Sequence, residues 1–177
     1  MNEIYEPAQD SYLLQKVVKD FIKKKKPRKI LDMGSGSGIL ARTAINCGAD
    51  EKNITLVDIN SNSVKHLKKK LPNSKVINSN LFSKLTEKFD LIIFNPPYLP
   101  EDKDEPKNSK LATTGGKNGS ELINKFLLNA KNYLNSDGKI LLLTSSLTKN
   151  INWRNFKKKL IASEKLFFEE LYVWKLK

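Results

Sequence analysis

Apolar positions along the chain alternate between two rhythms. Leu13, Leu14, Val17, Val18, Phe21 and Ile22 follow the spacing of one helix face. Asp10 or Ser11 stands where a cap belongs, and Pro27 stops continuation beyond the lysine run at 23–26. Residues 29–33 then predict a first strand, and an apolar run from Ile39 to Ile45 predicts a helix that ends near Gly48. A second strand is expected over 54–58, followed by a lysine-rich helix from Ser61 or Asn62 through Leu71. His66 is a lone surface histidine on that helix. Short strands are expected over 75–78 and 89–94. Leu122, Ile123, Phe126, Leu127, Ala130, Tyr133 and Leu134 then keep a helical period that Gly138 ends. Residues 139–144 predict a fifth strand and about 153–161 a further helix. Residues 166–176 predict a closing strand or hairpin.

Strands alternating with helices imply an α/β chain with a mostly parallel sheet and helices on both faces. Right-handed crossovers, with a reversal of direction after the third strand, would set strands one and four side by side. No internal repeat or linker divides the order, so residues 1–177 are expected to form one domain.

The fourth strand ends abruptly in Asn95-Pro96-Pro97-Tyr98. Proline cannot donate to a sheet ladder, and each proline pushes the residue before it towards an extended conformation. Asn95 and Pro96 are therefore restrained, and so are their oxygens. The Asn95 side-chain oxygen can accept one hydrogen of a planar NH2 group and the Pro96 main-chain oxygen the other. The Tyr98 ring can cover its flat face. Such a group is an amide or an exocyclic base amine, a poor nucleophile that needs a strong electrophile beside it. The plainer alternative is a rigid turn.

Gly34-Ser35-Gly36-Ser37-Gly38 follows the first strand and opens a helix, the start of a nucleotide-binding unit. Glycines let the backbone approach a ligand closely. Asp58 ends the second strand, where an acid accepts hydrogen bonds from ribose hydroxyls. The alternative for Asp58 is a helix cap. A dinucleotide binder is the competing reading of the loop, although the full G-x-G-x-x-G spacing is missing.

Composition changes this picture little. Hydrophobic residues make up 39%, and no apolar run approaches the ~20 residues of a membrane span. Cys47 is the sole cysteine, which excludes a disulfide framework or cysteine-based zinc site and suits a cytoplasmic protein. A formal net charge of +13 invites a nucleic-acid or ribosomal partner. Arginine occurs only at 28, 42 and 154, and asparagine is abundant, so a Lys/Asn-biased background is an equal explanation.

Asp32-x-Gly34-Ser35-Gly36-Ser37-Gly38 with Asp58 resembles the cofactor loop of S-adenosylmethionine-dependent methyltransferases. Asn95-Pro96-Pro97-Tyr98 is similar to the signature of enzymes that methylate planar nitrogen. Tyr5-Glu6-Pro7-Ala8-Gln9-Asp10-Ser11, the segment Gly115-Gly116-Lys117-Asn118-Gly119 and the ending Phe168-Glu169-Glu170-Leu171-Tyr172-Val173 narrow the match. It points to HemK-like protein-glutamine N5-methyltransferases of the short archaeal and eukaryotic type. The resemblance implies a Rossmann-like class I methyltransferase domain with a seven-stranded sheet, and residues 1–28 as a helical segment packed beside the cofactor. It implies S-adenosyl-L-methionine as cofactor, with S-adenosyl-L-homocysteine as product. The reaction implied is methylation of the glutamine in the Gly-Gly-Gln motif of a class 1 release factor. Asp32 and Gly34 would line the cofactor near its methionine part, with Ser35, Gly36 and Gly38 in the same loop. Asp58 would hold the ribose, Asn80 and Leu81 would meet the adenine, Ser11 would help close the pocket, and Asn95 would also bind the cofactor. Asn95, with Pro96, Pro97 and Tyr98, would hold the substrate amide, and no metal is required. A small zinc-binding activator subunit is implied, through the third-strand region, with ribosome or RNA contact and no membrane. Asn80 stands where the family often has Asp, and Thr113 and Thr114 precede the glycine pair in place of an aromatic residue. The rival reading is an adenine-N6 or guanine-N2 methyltransferase acting on RNA or DNA, since a base amine fits the same clamp.

Overall fold

The computed structural model describes residues 4–102 and 113–177. Helix α1, Gln9–Lys25, precedes β1, Ile30–Met33, and α2, Ile39–Asn46, follows it. Then come β2, Ile54–Asp58, α3, Ser61–Lys70, β3, Lys75–Asn78, and β4, Phe89–Phe94. Two short strands, β5, Leu99–Pro100, and β6, Thr114–Gly116, pair with each other alone. Helix α4, Glu121–Ala130, leads into β7, Leu134–Ser145, and the hairpin of β8, Lys158–Lys165, with β9, Glu170–Leu176.

The main sheet has the order β3-β2-β1-β4-β7-β9-β8. Its first five strands run parallel, and β9 is antiparallel to both of its neighbours. Strands one and four are adjacent, as the crossover rules require.

Alternate residues of each central strand feed two cores. Leu91 and Ile93 of β4 pack with Leu14, Val18, Leu40 and Ala44 under α1 and α2. Ile92 and Phe94 pack with Ile123, Phe126 and Leu127 under α4. Burial on both faces explains why β4 reads as a continuous apolar run. Each such side chain contributes about 1.5–3 kcal/mol, and together they fix the carboxyl end of β4 against β1. Among the described residues no helix is long and apolar enough to cross a membrane.

Three expectations are corrected. Helix α1 begins earlier than a cap at Asp10 or Ser11 allows, because Ala8 occupies the cap and makes no side-chain bond. The long helix ends at Ala130, followed by a 3-10 turn at Lys131–Tyr133, and Leu134 already pairs with Phe89. Gly138 lies inside β7, where a Cβ would sit 2.8 Å from the Phe89 carbonyl oxygen, so close strand approach, not helix termination, calls for glycine. The helix expected over 153–161 is instead a turn and strand β8. Trp153 leaves helical register to pack on Trp174, ring centroids 5.1 Å apart, and strand pairing to β9 overrides the local period. Residues 101–106 read in the sequence as a charged, proline-bounded loop that covers the site or meets a partner; from Lys103 onward this loop lies outside the described residues.

Candidate active site

Met33 and Phe94 lie opposite each other in register, so the glycine loop and Asn95 leave the sheet from adjoining carboxyl ends. They open onto a cavity of about 680 Å³, within the size range of cofactor and ligand sites.

The loop is held by its own polar groups. Ser35 N donates to the Val57 carbonyl at 3.0 Å, and Ser35 Oγ donates to the Asp32 carbonyl at 2.6 Å. Gly36 has φ +50 and donates its N–H to Asp58 Oδ2 at 2.8 Å. Any Cβ at Gly38 would fall 2.6 Å from Leu67 Cδ2, so this glycine lets α2 sit against α3.

Asp58 is buried, and its second oxygen accepts from Asn60 N at 2.8 Å. Asn60, not Asp58, caps α3, accepting from Asn62 N through its side chain. Burial pushes the Asp58 carboxyl upward, against the pull of these backbone donors. Asp32 lies deeper. Its Oδ2 accepts from Ala41 N at 3.2 Å, while the buried Oδ1 has no hydrogen-bond partner among the described residues. Burial raises its pKa to about 7, opposed by the Ala41 N–H and assisted by the charge of Asp58.

The second half of the site is a network at Asn95. Its Nδ2 donates to Asp10 Oδ2 at 3.1 Å and to Ser11 Oγ at 3.4 Å. Asp10 also accepts the Tyr5 hydroxyl at 2.9 Å and the Ser11 backbone N–H at 2.5 Å. A carboxylate only accepts, so the amide nitrogen of Asn95 must face Asp10. The carbonyl Oδ1 must then point the other way. It is buried and has no hydrogen-bond donor among the described residues. A buried acceptor left open in this way is expensive unless a donor arrives.

The structure brings Ser11, Gly34, Ser35, Gly36, Asp58, Asn80, Leu81, Asn95, Pro96 and Pro97 onto this cavity wall. Asp32 and Gly38 stand behind it as supports. Tyr98 is not on the wall; its ring packs against both cores, and its main-chain oxygen accepts from Thr148 Oγ1 at 2.9 Å. Burial chiefly raises the Tyr98 pKa, with Asp10 and Glu169 adding to it. Residues beyond those expected also line the cavity, among them Tyr5, Asp10, Ile59, Ser79, Glu121 and Lys125. Tyr5 and Asp10 were visible as an N-terminal motif, but no local signal links Asp10 to a residue in β4's exit. Gly115 closes the wall beneath Pro97, with the carbonyl oxygens of Gly119 and Pro97 lying 2.2 and 2.6 Å from where its Cβ would be.

A glycine loop on β1, a carboxylate ending β2 and an amide-proline turn on β4, in this strand order, define a class I methyltransferase domain. The methyltransferase small domain family model matches residues 11–158. A Methanocaldococcus jannaschii protein with the provisional name protein N5-glutamine methyltransferase is 41% identical, over 98% of this chain and 93% of its own. Human methyltransferase HEMK2 is 28% identical over 81% of this chain and 72% of its own. Among solved structures, the E. cuniculi Mtq2–Trm112 complex, described as methylating the eRF1 translation termination factor, superposes with TM-score 0.72. It is 20% identical over 99% of this chain and 98% of that one. The chain belongs to the methyltransferase small domain family, among the protein-glutamine N5-methyltransferases.

The residues fit the cofactor of that family. A cradle of glycines with positive φ and a carboxylate fixed by two backbone donors suit a ligand with ribose hydroxyls.

Proposed function

We infer that this chain methylates the side-chain amide nitrogen of the glutamine in the Gly-Gly-Gln motif of a class 1 release factor. The observation that carries the reading is Asn95 Oδ1, a buried acceptor with no donor among the described residues, on a residue of the cavity wall whose amide nitrogen is taken by Asp10. A glutamine NH2 supplies the missing donor.

S-adenosyl-L-methionine supplies the electrophilic methyl group and departs as S-adenosyl-L-homocysteine. Asp58 would hold its ribose hydroxyls, Gly34 and Gly36 its backbone-facing edge, Asn80 and Leu81 its adenine, and Ser11 the lid side. Asn95 Oδ1 and the Pro96 carbonyl oxygen accept the two amide hydrogens of the substrate. This orients the nitrogen lone pair and favours positive charge growing on that atom. Asn95 has no basic atom, so the released proton goes to water. Holding the two reactants in line is worth on the order of 7–11 kcal/mol of barrier, and the two acceptors gain strength as charge develops.

Among the described residues strand β3 ends the sheet, pairing with β2 on one side only. This edge is the docking place we propose for a small zinc-binding activator subunit, in keeping with the complex named above. A cytoplasmic enzyme, which would meet such a factor there, is part of the same proposal.

The test offers labelled cofactor, with and without the activator, to a class 1 release factor, to its Gln→Ala variant in the Gly-Gly-Gln motif, and to bulk RNA. Label on the first protein alone is expected. Label on RNA and on neither protein overturns the assignment in favour of a base amine.

A further inference from the structure

Five lysines in or directly flanking three adjacent strands share one face of the sheet. Lys157 and Lys177 exchange backbone hydrogen bonds at 2.9 and 3.0 Å, and two residues along, Lys159 lies directly opposite Lys175. Two-residue spacing puts both pairs on the same face. Lys175 is opposite Leu141, so Lys139, two residues before Leu141, faces the same way. Leu141, Leu143 and Val173 carry that face into the core beneath α1. The lysines therefore extend it past the core edge, near Lys25 at the end of α1, whose charge acts on Lys139.

Like charges directly opposite each other in a sheet are destabilising. The same hairpin shows the alternative at its other end, where Lys165 lies opposite Glu170. Near the lysine pairs, the ion pair among the described residues is Lys177 with the highly exposed Asp137, at 3.2 Å. A lysine-rich composition alone scatters charge around helices and loops. Here two like-charged pairs are stacked in register and a third strand adds another lysine on that face.

We propose that this plate binds the phosphate backbone of RNA. Its β7 member, Lys139, stands opposite Leu91 where β7 begins its regular pairing with β4, whereas the cavity lies at the carboxyl ends of the strands. RNA held there is an anchor, not a methyl acceptor, and the proposal goes beyond the assignment of the methylation site. Lysines without a rigid fork suit backbone charge rather than base reading.

The test uses the full chain and a labelled RNA hairpin of about 20 nucleotides, with anisotropy read across a salt series. Neutralising several phosphates gives a log–log slope of about −3 to −5. The triple variant Lys157→Ala, Lys159→Ala, Lys177→Ala is expected to flatten this slope by about 2 to 3. The equally charged control Lys68→Ala, Lys69→Ala, Lys70→Ala on α3 is expected to leave it nearly unchanged. Cofactor titration of both variants shows that each remains folded. Equal weakening by the two triples overturns the plate in favour of diffuse charge. So does capture of polyglutamate, but not RNA, in a plate-dependent way. Methyl label on the RNA itself would overturn the protein-substrate assignment and leave the plate to be judged by the slopes.

Discussion

Asp10 Oδ2 accepts from Asn95 Nδ2 at 3.1 Å, across 85 residues of sequence. This contact decides which end of the Asn95 amide is engaged and which is left open. Asp10 is fixed in turn by Tyr5 and the Ser11 backbone, so the N-terminal segment sets the orientation of a group on the fourth strand. Asp10 is a positioning residue, and Asn95 is the group placed to touch substrate.

Asp10→Asn should therefore release that choice. An amide at position 10 can donate as well as accept, so Asn95 is free to flip. Loss of a charged hydrogen bond of about 1.5–3 kcal/mol translates to a fall in kcat of about 10- to 100-fold. Cofactor affinity should change far less, because Asp58 and the glycine loop are untouched. Equal losses in cofactor binding and kcat would assign Asp10 to the cofactor side instead.

Most of the architecture was legible in the sequence because the central strands are buried on both faces and bounded by glycine or proline. Gly34 and Pro96 mark the ends of β1 and β4 without ambiguity. The errors arose where long-range pairing outweighs local period. The spacing of Trp153, Phe156 and Leu160 suits a helix, but the Trp174 ring and the β9 backbone hold this stretch extended. Asp10 resembles a cap by position, yet its carboxylate is engaged by Tyr5 and Asn95. The loop and the amide-proline turn named the two halves of the site, while the network that orients Asn95 depends on a contact no local pattern encodes. The lysine plate was equally hidden, because strand register, and not charge count, assembles it.

Asp32 makes stability depend on pH. Its folded pKa of about 7 lies above the ordinary 3.8, so the fold favours its protonated form. That contribution is fully present below about pH 4 and is lost as pH rises through about 7. Asp58 is shifted the same way, whereas Glu87 and Asp90 are lowered and act only on acidification. Chemical denaturation of the cofactor-free chain should show stability falling between about pH 4 and 7, by on the order of 4 kcal/mol from Asp32. Asp32→Asn should remove that share and retain only the smaller slope from Asp58. Identical slopes for the two proteins would contradict the assignment.

Gly115 lies between two backbone oxygens beneath Pro97. Gly115→Ala should displace this wall, lowering stability by about 1–3 kcal/mol and reducing turnover through the Asn95-Pro96-Pro97 turn. Gly48→Ala is the control: φ is +97 there, but no atom lies within 4 Å. It should cost stability without a comparable loss of kcat, when activity is measured well below each variant's Tm. Full activity in Gly115→Ala would show that the segment does not set the turn.

The measurement that tests the central claim most directly is single-turnover methyl transfer by Asn95→Ala, paired with cofactor titration of the same preparation. Loss of an oriented acceptor should slow transfer by about 10²–10³-fold and change cofactor Kd by less than about threefold, a difference of under 1 kcal/mol. Transfer at an undiminished rate, or a cofactor affinity that falls in step with it, would contradict the role assigned to the open Asn95 oxygen.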